Sequence, residues 1–182
     1  MLPADVRALA WAPVKDGFSA RFSCGSRTYR YWLPRRDALS GRPRDLAAMR
    51  RAAEKLAGEK DFRNFCKMDI VHVSNFVRLV YGVQVTEEGP LLRVEVHGQA
   101  FLWHMVRCFV AVLARVGDGR EEPSVVDALL DVERCPRRPQ YLLADERPLV
   151  LHDCAFDTLA SVAVSSSSAG VEHTSRSKRQ HP

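Results

Sequence analysis

The sequence predicts an α+β domain with a mainly antiparallel sheet and helices packed on one side of that sheet. Apolar and polar residues alternate along 77–85 and again along 92–96, and the turn-forming residues 87–90 separate the two segments. This arrangement is typical of a β-hairpin with one apolar face. From 102 to 116 the apolar residues instead recur at helical spacing. A sheet and a helix that each carry one apolar face bury those faces against each other.

The first predicted element is a strand over residues 20–33. Aromatic and polar residues alternate there, and Pro34 ends the pattern because proline interrupts strand pairing. Gly25-Ser26 also fits a tight turn that divides the segment into two strands. In either case Tyr29 and Tyr31 lie on the same face of the strand.

The remaining elements follow in the order helix, hairpin, two helices and a final strand. A helix is predicted after Asp45, with apolar residues at helical spacing until Gly58 ends it. The hairpin and the longer helix described above come next. A further helix is predicted from 123 to about 132, because Pro123 suits a first helical turn. A short strand over 149–156 completes the domain.

We assign residues 1–159 to the folded domain and residues 160–182 to a tail. The tail contains a run of four serines followed by polar and basic residues. A segment of this composition cannot bury enough apolar surface to fold, so we expect the tail to be disordered.

The composition limits the possible function classes. The net charge of +5 is mildly basic, which suits a polyanionic partner but is weak evidence for one. The five cysteines are scattered, without a C-x-x-C pair, which favours reduced thiols and an intracellular location, in the nucleus, the cytoplasm or both. We expect no metal site, because no four-ligand set has a recognised spacing. No segment predicts a membrane span or a signal peptide.

Three segments resemble, in the same order, conserved blocks of the TruA-type tRNA pseudouridine synthases. They are FSARFS at 18–23 with RTYRY at 27–31, DFRNFCKMD at 61–69, and GQAFLWHMVRCFVAVLARVGDG at 98–119. The block at 61–69, with the segments 137–141 and 148–154, is most similar to the eukaryotic branch called tRNA pseudouridine-38/39 synthase. The resemblance extends from about Leu2 to Phe156.

The resemblance implies the C-terminal half of the pseudouridine synthase fold and an enzyme that isomerises uridine to pseudouridine. The implied partner is tRNA, at the anticodon stem-loop, and no cofactor is implied. Bacterial members of the family are homodimers, so a homodimer is a further expectation.

The resemblance assigns catalytic roles to two residues. Tyr29 matches the tyrosine that stacks on the target uracil and can take its C5 proton, whereas the residues alone also allow an ordinary strand tyrosine that fills the sheet face. Arg107 matches the arginine that forms an ion pair with the catalytic aspartate. From the residues alone, this half-buried arginine needs some anion, and a surface ion pair is the simpler alternative.

Six further residues are expected to bind substrate or RNA. Their positions in the family blocks place them beside the tyrosine, at the pocket edge or in the pocket wall. Lys67 could equally be a solvent-exposed lysine with no phosphate contact. The six residues are Arg27, Arg30, Phe62, Lys67, Phe101 and His104.

The chain departs from the family in one respect. The family's catalytic aspartate lies in a G-R-T-D-x-G-V-x-A motif ahead of the segment that here begins at Leu2, and no such motif occurs in these residues. We therefore expect the chain to begin just after its nucleophile and to be inactive alone, so that the pair of Arg107 with the catalytic aspartate has no acidic member in this chain. Asp16, which superficially resembles part of the motif, is predicted to be a turn residue beside Gly17.

Two function classes follow from these observations. The chain is either the C-terminal portion of a tRNA pseudouridine synthase or a non-catalytic RNA-binding remnant of that family. An RRM-like RNA binder is disfavoured because no K/R-G-F-G-F-V-x-F string occurs.

Overall fold

The computed structural model describes residues 2–67 and 73–156. The strands are β1 (Ser26–Pro34), β2 (Gly58–Asp61), β3 (Val77–Glu88), β4 (Leu91–Gly98) and β5 (Leu149–Ala155). The helices are α1 (Leu46–Glu54), α2 (Met105–Gly117) and α3 (Val125–Leu130), and a short 3₁₀ turn covers Arg63–Phe65. The strands form one antiparallel sheet in the order β2-β3-β4-β1-β5. The predicted tail, 160–182, lies outside the described residues.

The helices pack on one face of the sheet, as the sequence predicts. The core between them contains fully buried side chains from β4, α1 and α2, including Val94, Met49 and Phe109. The other face carries ion pairs instead, such as Arg93 with Glu88 at 2.9 Å. The α+β fold class is therefore confirmed.

The predicted hairpin forms, but its first strand contains a β-bulge that the alternation does not reveal. Val80 pairs with Gly98 while Gly82 pairs with His97, so Tyr81 is an extra residue on β3. A bulge reverses the side-chain alternation on its strand. Val80 is consequently buried and Tyr81 is 48% exposed, so the predicted apolar face is wrong before the bulge and correct after it.

The predicted first strand begins later than expected, at Ser26. Residues 19–23 instead form a turn in which the Ser23 amide donates to the Ser19 carbonyl over 2.8 Å. The prediction for Asp16 is confirmed, because the Phe18 amide donates to the Lys15 carbonyl over 3.1 Å and Gly17 has φ +81°. This left-handed conformation is one that glycine adopts readily.

The remaining helices lie close to their predicted positions. Asp45 caps α1 by accepting a hydrogen bond from the Ala48 amide over 2.9 Å, as helix N-caps do. The helix predicted from 102 begins at Met105. Strand β2 is not predicted by the sequence, because Gly-Glu-Lys-Asp has no apolar alternation; it forms by pairing with β3.

Candidate functional site

Tyr29 lies near the centre of β1, on the face that carries the helices. Its ring contacts that of Phe101 edge to face, with centroids 5.2 Å apart and planes at 88°, a favourable aromatic geometry. Burial raises the pKa of the Tyr29 hydroxyl, and the Arg27 charge opposes this shift only in part. Tyr29 therefore presents a neutral phenol at a half-buried position.

Phe101 reaches Tyr29 because the end of β4 leaves room for its ring. A Cβ atom added to Gly98 would lie 2.9 Å from Cζ of Phe101 and 3.0 Å from the Leu79 carbonyl oxygen. Both distances are too short for a side chain at this position. Glycine at 98 thus allows the Phe101 ring to fold back against the strand and support Tyr29.

The two arginines beside Tyr29 lie on opposite faces of β1, because side chains alternate along a strand. Arg27, on the tyrosine's face, donates from Nη1 to the Gln99 carbonyl over 2.7 Å and to the Cys24 carbonyl over 3.3 Å. It ties the turn before β1 to the end of β4. Arg30 lies on the opposite face, with its Nε 2.6 Å from Glu95 Oε2. The structure does not bring Arg30 to the candidate site.

Phe62 lies in the hydrophobic core. Its side chain is fully buried, and its ring packs 5.4 Å from Phe109 and 6.1 Å from Phe65. A side chain with no exposed surface cannot touch a polyanion, so the expectation that Phe62 binds RNA is corrected. It supports the site from within the core.

Lys67 and His104 both lie close to the ring of Trp103, an exposed tryptophan in the chain segment before α2. The Lys67 ammonium is 4.7 Å from the centroid of the Trp103 ring, and the Lys67 amide donates to the Trp103 carbonyl over 3.0 Å. The His104 ring lies 4.5 Å from the Trp103 ring, with the two planes 34° apart. Trp103 itself is 54% exposed. No pattern in the sequence predicts a role for this residue.

His104 has a strained backbone and an unsatisfied ring nitrogen. Its φ is +62°, in the left-handed region that few residues other than glycine adopt. Its buried Nδ1 has no hydrogen-bond partner among the described residues. Burial and the nearby charges of Arg107 and Lys67 lower the pKa of the imidazole, so His104 is neutral near pH 7. Strain of this kind persists only where surrounding contacts fix the residue, and it is common at functional sites.

Arg107 lies in the first turn and a half of α2, with a side chain only 16% exposed. Its Nε donates to the Ala144 carbonyl over 2.7 Å, and its Nη2 lies 2.9 Å from Glu146 Oε2. Arg107 thus has an acidic contact within the described residues, as an ordinary ion pair would give it. The side chain of that contact, Glu146, is 71% exposed.

The segment that holds Arg107 is itself fixed by polar contacts. The Tyr141 hydroxyl donates to the Asn64 carbonyl over 2.8 Å, and the Arg138 guanidinium lies 4.6 Å above the Tyr141 ring. The fully buried Asn64 side chain donates to the Leu129 and Cys135 carbonyls. These contacts position residues 138–146, which contain no helix or strand, against the core beside α2. In the sequence, only the resemblance of 137–141 to the family indicates that this segment has a defined position.

Neither a metal cluster nor a membrane span is found in the described part of the chain. No three His, Cys, Asp or Glu side chains within 2–67 and 73–156 are grouped so that they could hold a metal ion. Across the same residues, no helix has the length and apolar character needed to cross a bilayer.

Comparison with known proteins identifies the family. The family model for tRNA pseudouridine synthase matches residues 52–157, more than half of the chain. The chain is 49% identical over 172 residues to tRNA pseudouridine(38/39) synthase of Bos taurus. It is 39% identical over 160 residues to the protein of the same name from Saccharomyces cerevisiae, and 38% identical over 130 residues to tRNA pseudouridine synthase A of Methanoculleus marisnigri.

The three matches differ in how much of each protein they cover. They include 87%, 86% and 71% of this chain, and 34%, 35% and 44% of the respective relatives. The chain thus spans about a third of the length of the eukaryotic relatives. The family match runs from α1 through β5 and includes Phe101, His104 and Arg107. By this match, the chain belongs to the tRNA pseudouridine synthase family.

Proposed function

We propose that this chain forms one wall of the uridine pocket in an enzyme that converts uridine to pseudouridine at positions 38 and 39 of tRNA. The observation that carries the proposal is the guanidinium of Arg107, which is only 16% exposed and is held from one side by Ala144 and Glu146 at the start of α2. The bovine and yeast relatives bear the name tRNA pseudouridine(38/39) synthase, which supports the choice of tRNA positions.

Among the described residues, no hydrogen bond or ion pair is made by Nη1 of Arg107, so one edge of its guanidinium can bind a further acceptor. Ala144 and Glu146 lie against the edge formed by Nε and Nη2. The other edge, formed by Nη1 and Nη2, suits a second carboxylate bound through two parallel hydrogen bonds. A carboxylate bound there would be held ionised and in one orientation, because a nearby cation lowers the pKa of an acid.

Pseudouridine formation breaks the bond between uracil and ribose, rotates the base and rejoins it through carbon. The reaction needs a nucleophilic carboxylate and a surface that holds the freed base. Tyr29 would supply that surface, because an aromatic face can stack on a base taken out of its helix. The residues of this chain contain no Arg-Thr-Asp sequence, so the nucleophile would come from outside them.

We expect weak binding of tRNA to residues 1–182 that falls as salt rises, because each phosphate contact releases counterions. The cations expected to meet phosphate are Lys67 and three arginines of the loop before α1, Arg35, Arg36 and Arg42, because Arg44 is buried against Asp118. For about four contacts, affinity should fall by roughly 10²-fold between 50 and 200 mM salt. Fluorescence anisotropy of labelled tRNA measures this. An affinity that is independent of salt would contradict the proposed electrostatic surface.

A second copy of the chain is a candidate partner. Strand β5 is an edge strand of the sheet, and its Val150 and Leu151 are 44% and 50% exposed. An exposed apolar edge strand can pair with another chain. Light scattering should then give a dimer mass that returns to the monomer mass when Leu151 is replaced by lysine. A monomer mass for the unchanged chain at high concentration would exclude this dimer.

We also propose an intracellular location, in the nucleus, the cytoplasm or both. All five cysteines are free in the structure. Free thiols are typical of reducing compartments.

A further inference from the structure

Trp103 is exposed although its neighbours in the chain are buried. Leu102 and Met105 are 6% and 1% exposed, while Trp103 is 54% exposed. A single exposed aromatic residue needs no explanation by itself. Here, however, the indole has a cation over its ring and a second aromatic ring beside it, and these contacts come from two separate parts of the chain.

The backbone that carries Trp103 is fixed rather than loose. The Met105 amide donates to the Leu102 carbonyl over 3.1 Å, and the Lys67 amide donates to the Trp103 carbonyl over 3.0 Å. His104 is held in the left-handed conformation at the start of α2. A strained residue persists only where surrounding contacts determine its position. The indole is therefore presented to solvent from a rigid support, as a preorganised binding surface requires.

We propose that Trp103, flanked by Lys67 and His104, is a stacking platform for one unpaired nucleobase of the bound RNA, next to the uridine pocket. This inference rests on the proposed function, since it assumes that the RNA is a tRNA. The base stacks on the indole, and the Lys67 ammonium moves from the ring to an adjacent phosphate.

The relative strengths of the two contacts support this exchange. Stacking a base on an aromatic side chain raises affinity by about 5- to 150-fold. An exposed cation–π contact is worth only about 2- to 5-fold, so the base displaces the ammonium at a net gain. The charge of Arg107 also acts on His104, which makes the surroundings cationic and favours a nucleic acid over a neutral partner. An unpaired base is required, because a base inside a duplex has both faces already stacked.

The fluorescence of Trp103 reports directly on this platform. The chain has three tryptophans, so the double variant Trp11→Phe, Trp32→Phe leaves Trp103 alone. An RNA hairpin with an unpaired loop should quench its emission, and a fully paired RNA duplex of the same length should quench it much less. Equal quenching by the two RNAs would overturn the requirement for an unpaired base.

Affinity for the same hairpin tests the energetic claim. Trp103→Ala should weaken binding by about 5- to 150-fold, whereas Trp103→Phe should retain most of the affinity. Trp11→Ala is the matched control, because Trp11 is 89% exposed in the coil before β1, and it should bind like the unchanged chain.

The outcomes separate the platform from the proposed function. Unchanged hairpin affinity in the folded Trp103→Ala variant would overturn the platform and leave tRNA binding intact. A failure of the unchanged chain to bind any RNA would overturn both. Binding of an acidic peptide that displaces the hairpin and requires Trp103 would assign the surface to a protein partner and also overturn the platform.

Discussion

Replacing Arg107 with methionine should nearly abolish pseudouridine formation in a protein that carries the family's Arg-Thr-Asp motif. The variant to test is a chimera in which residues 2–156 replace the matching segment of the bovine relative. Methionine keeps most of the volume of the arginine side chain. It leaves the buried carboxylate of the catalytic aspartate without its cationic partner. Breaking such a pair typically costs about 3 to 5 kcal/mol, and the same free energy lost from the transition state lowers the rate by roughly 150- to 5,000-fold. Release of tritium from uracil C5 measures turnover.

Two variants of helix α2 test whether the loss of rate is specific to Arg107. Arg107→Lys keeps the charge but loses the planar fork, so it should restore only part of the rate. Arg115→Met removes another arginine of α2 that pairs with a carboxylate at 2.9 Å, but this one is 43% exposed. Exposed pairs contribute about 0 to 1 kcal/mol, so turnover should change less than about fivefold.

The Glu146→Gln variant measures separately the contribution of the ion pair between Arg107 and Glu146. Because the Glu146 carboxylate is 71% exposed, its contact with Arg107 should be weak, and Glu146→Gln should lower the rate by less than about tenfold. A loss equal to that of Arg107→Met would mean that Glu146, and not an additional aspartate, is the important partner. Full turnover by a folded Arg107→Met chimera would make Arg107 a structural residue.

An inactive unchanged chimera would have a different meaning. If it folded and bound tRNA but formed no pseudouridine, the chain would be better described as an RNA-binding remnant of the family. Circular dichroism and the tRNA affinity of the chimera distinguish this outcome from misfolding.

Sequence patterns predict this fold well where structure depends on local periodicity. The alternation in the hairpin and the helical spacing in α2 identify both elements, because each must bury one apolar face. The bulge at Tyr81 is not predicted, since it depends on how β3 pairs with β4. Strand β2 is missed for the same reason: its partner strand, rather than its own composition, makes it a strand.

The candidate site is also predicted only in part: motifs indicate single residues, but not the contacts between distant segments. Tyr29 and Arg107 are predicted from motifs within single segments, but motifs do not show what surrounds a residue. The contact between Arg107 and Glu146 joins two distant parts of the chain, and no spacing rule predicts it. Arg27 and Arg30 look equivalent in the sequence, yet strand alternation places them on opposite faces. Phe62 lies in a family block because it builds the core.

Replacing Tyr29 with phenylalanine should slow the chimera strongly while leaving its affinity for tRNA nearly unchanged. Phenylalanine keeps the ring that packs edge to face on Phe101 and removes only the hydroxyl. A side chain that transfers a proton in the reaction contributes about 10²- to 10⁴-fold, so single-turnover rates should fall within that range. Tyr29→Leu removes the aromatic face as well, and should weaken binding in addition to slowing the reaction.

The pH dependence of the rates of the unchanged and Tyr29→Phe chimeras gives a second test of this role. Burial raises the pKa of Tyr29 above the usual value of about 10, so the hydroxyl stays protonated near neutral pH. A neutral phenol must lose its own proton before it can take the C5 proton, so the ratio of the unchanged rate to the Tyr29→Phe rate should rise from about pH 6 to pH 9. Tyr31→Phe is the matched control: Tyr31 lies on the same face of β1 but is 4% exposed, and its loss should leave turnover nearly unchanged. A normal rate for Tyr29→Phe would reduce Tyr29 to a stacking surface, whereas a ratio that does not change with pH would show that Tyr29 is not the group that takes the proton.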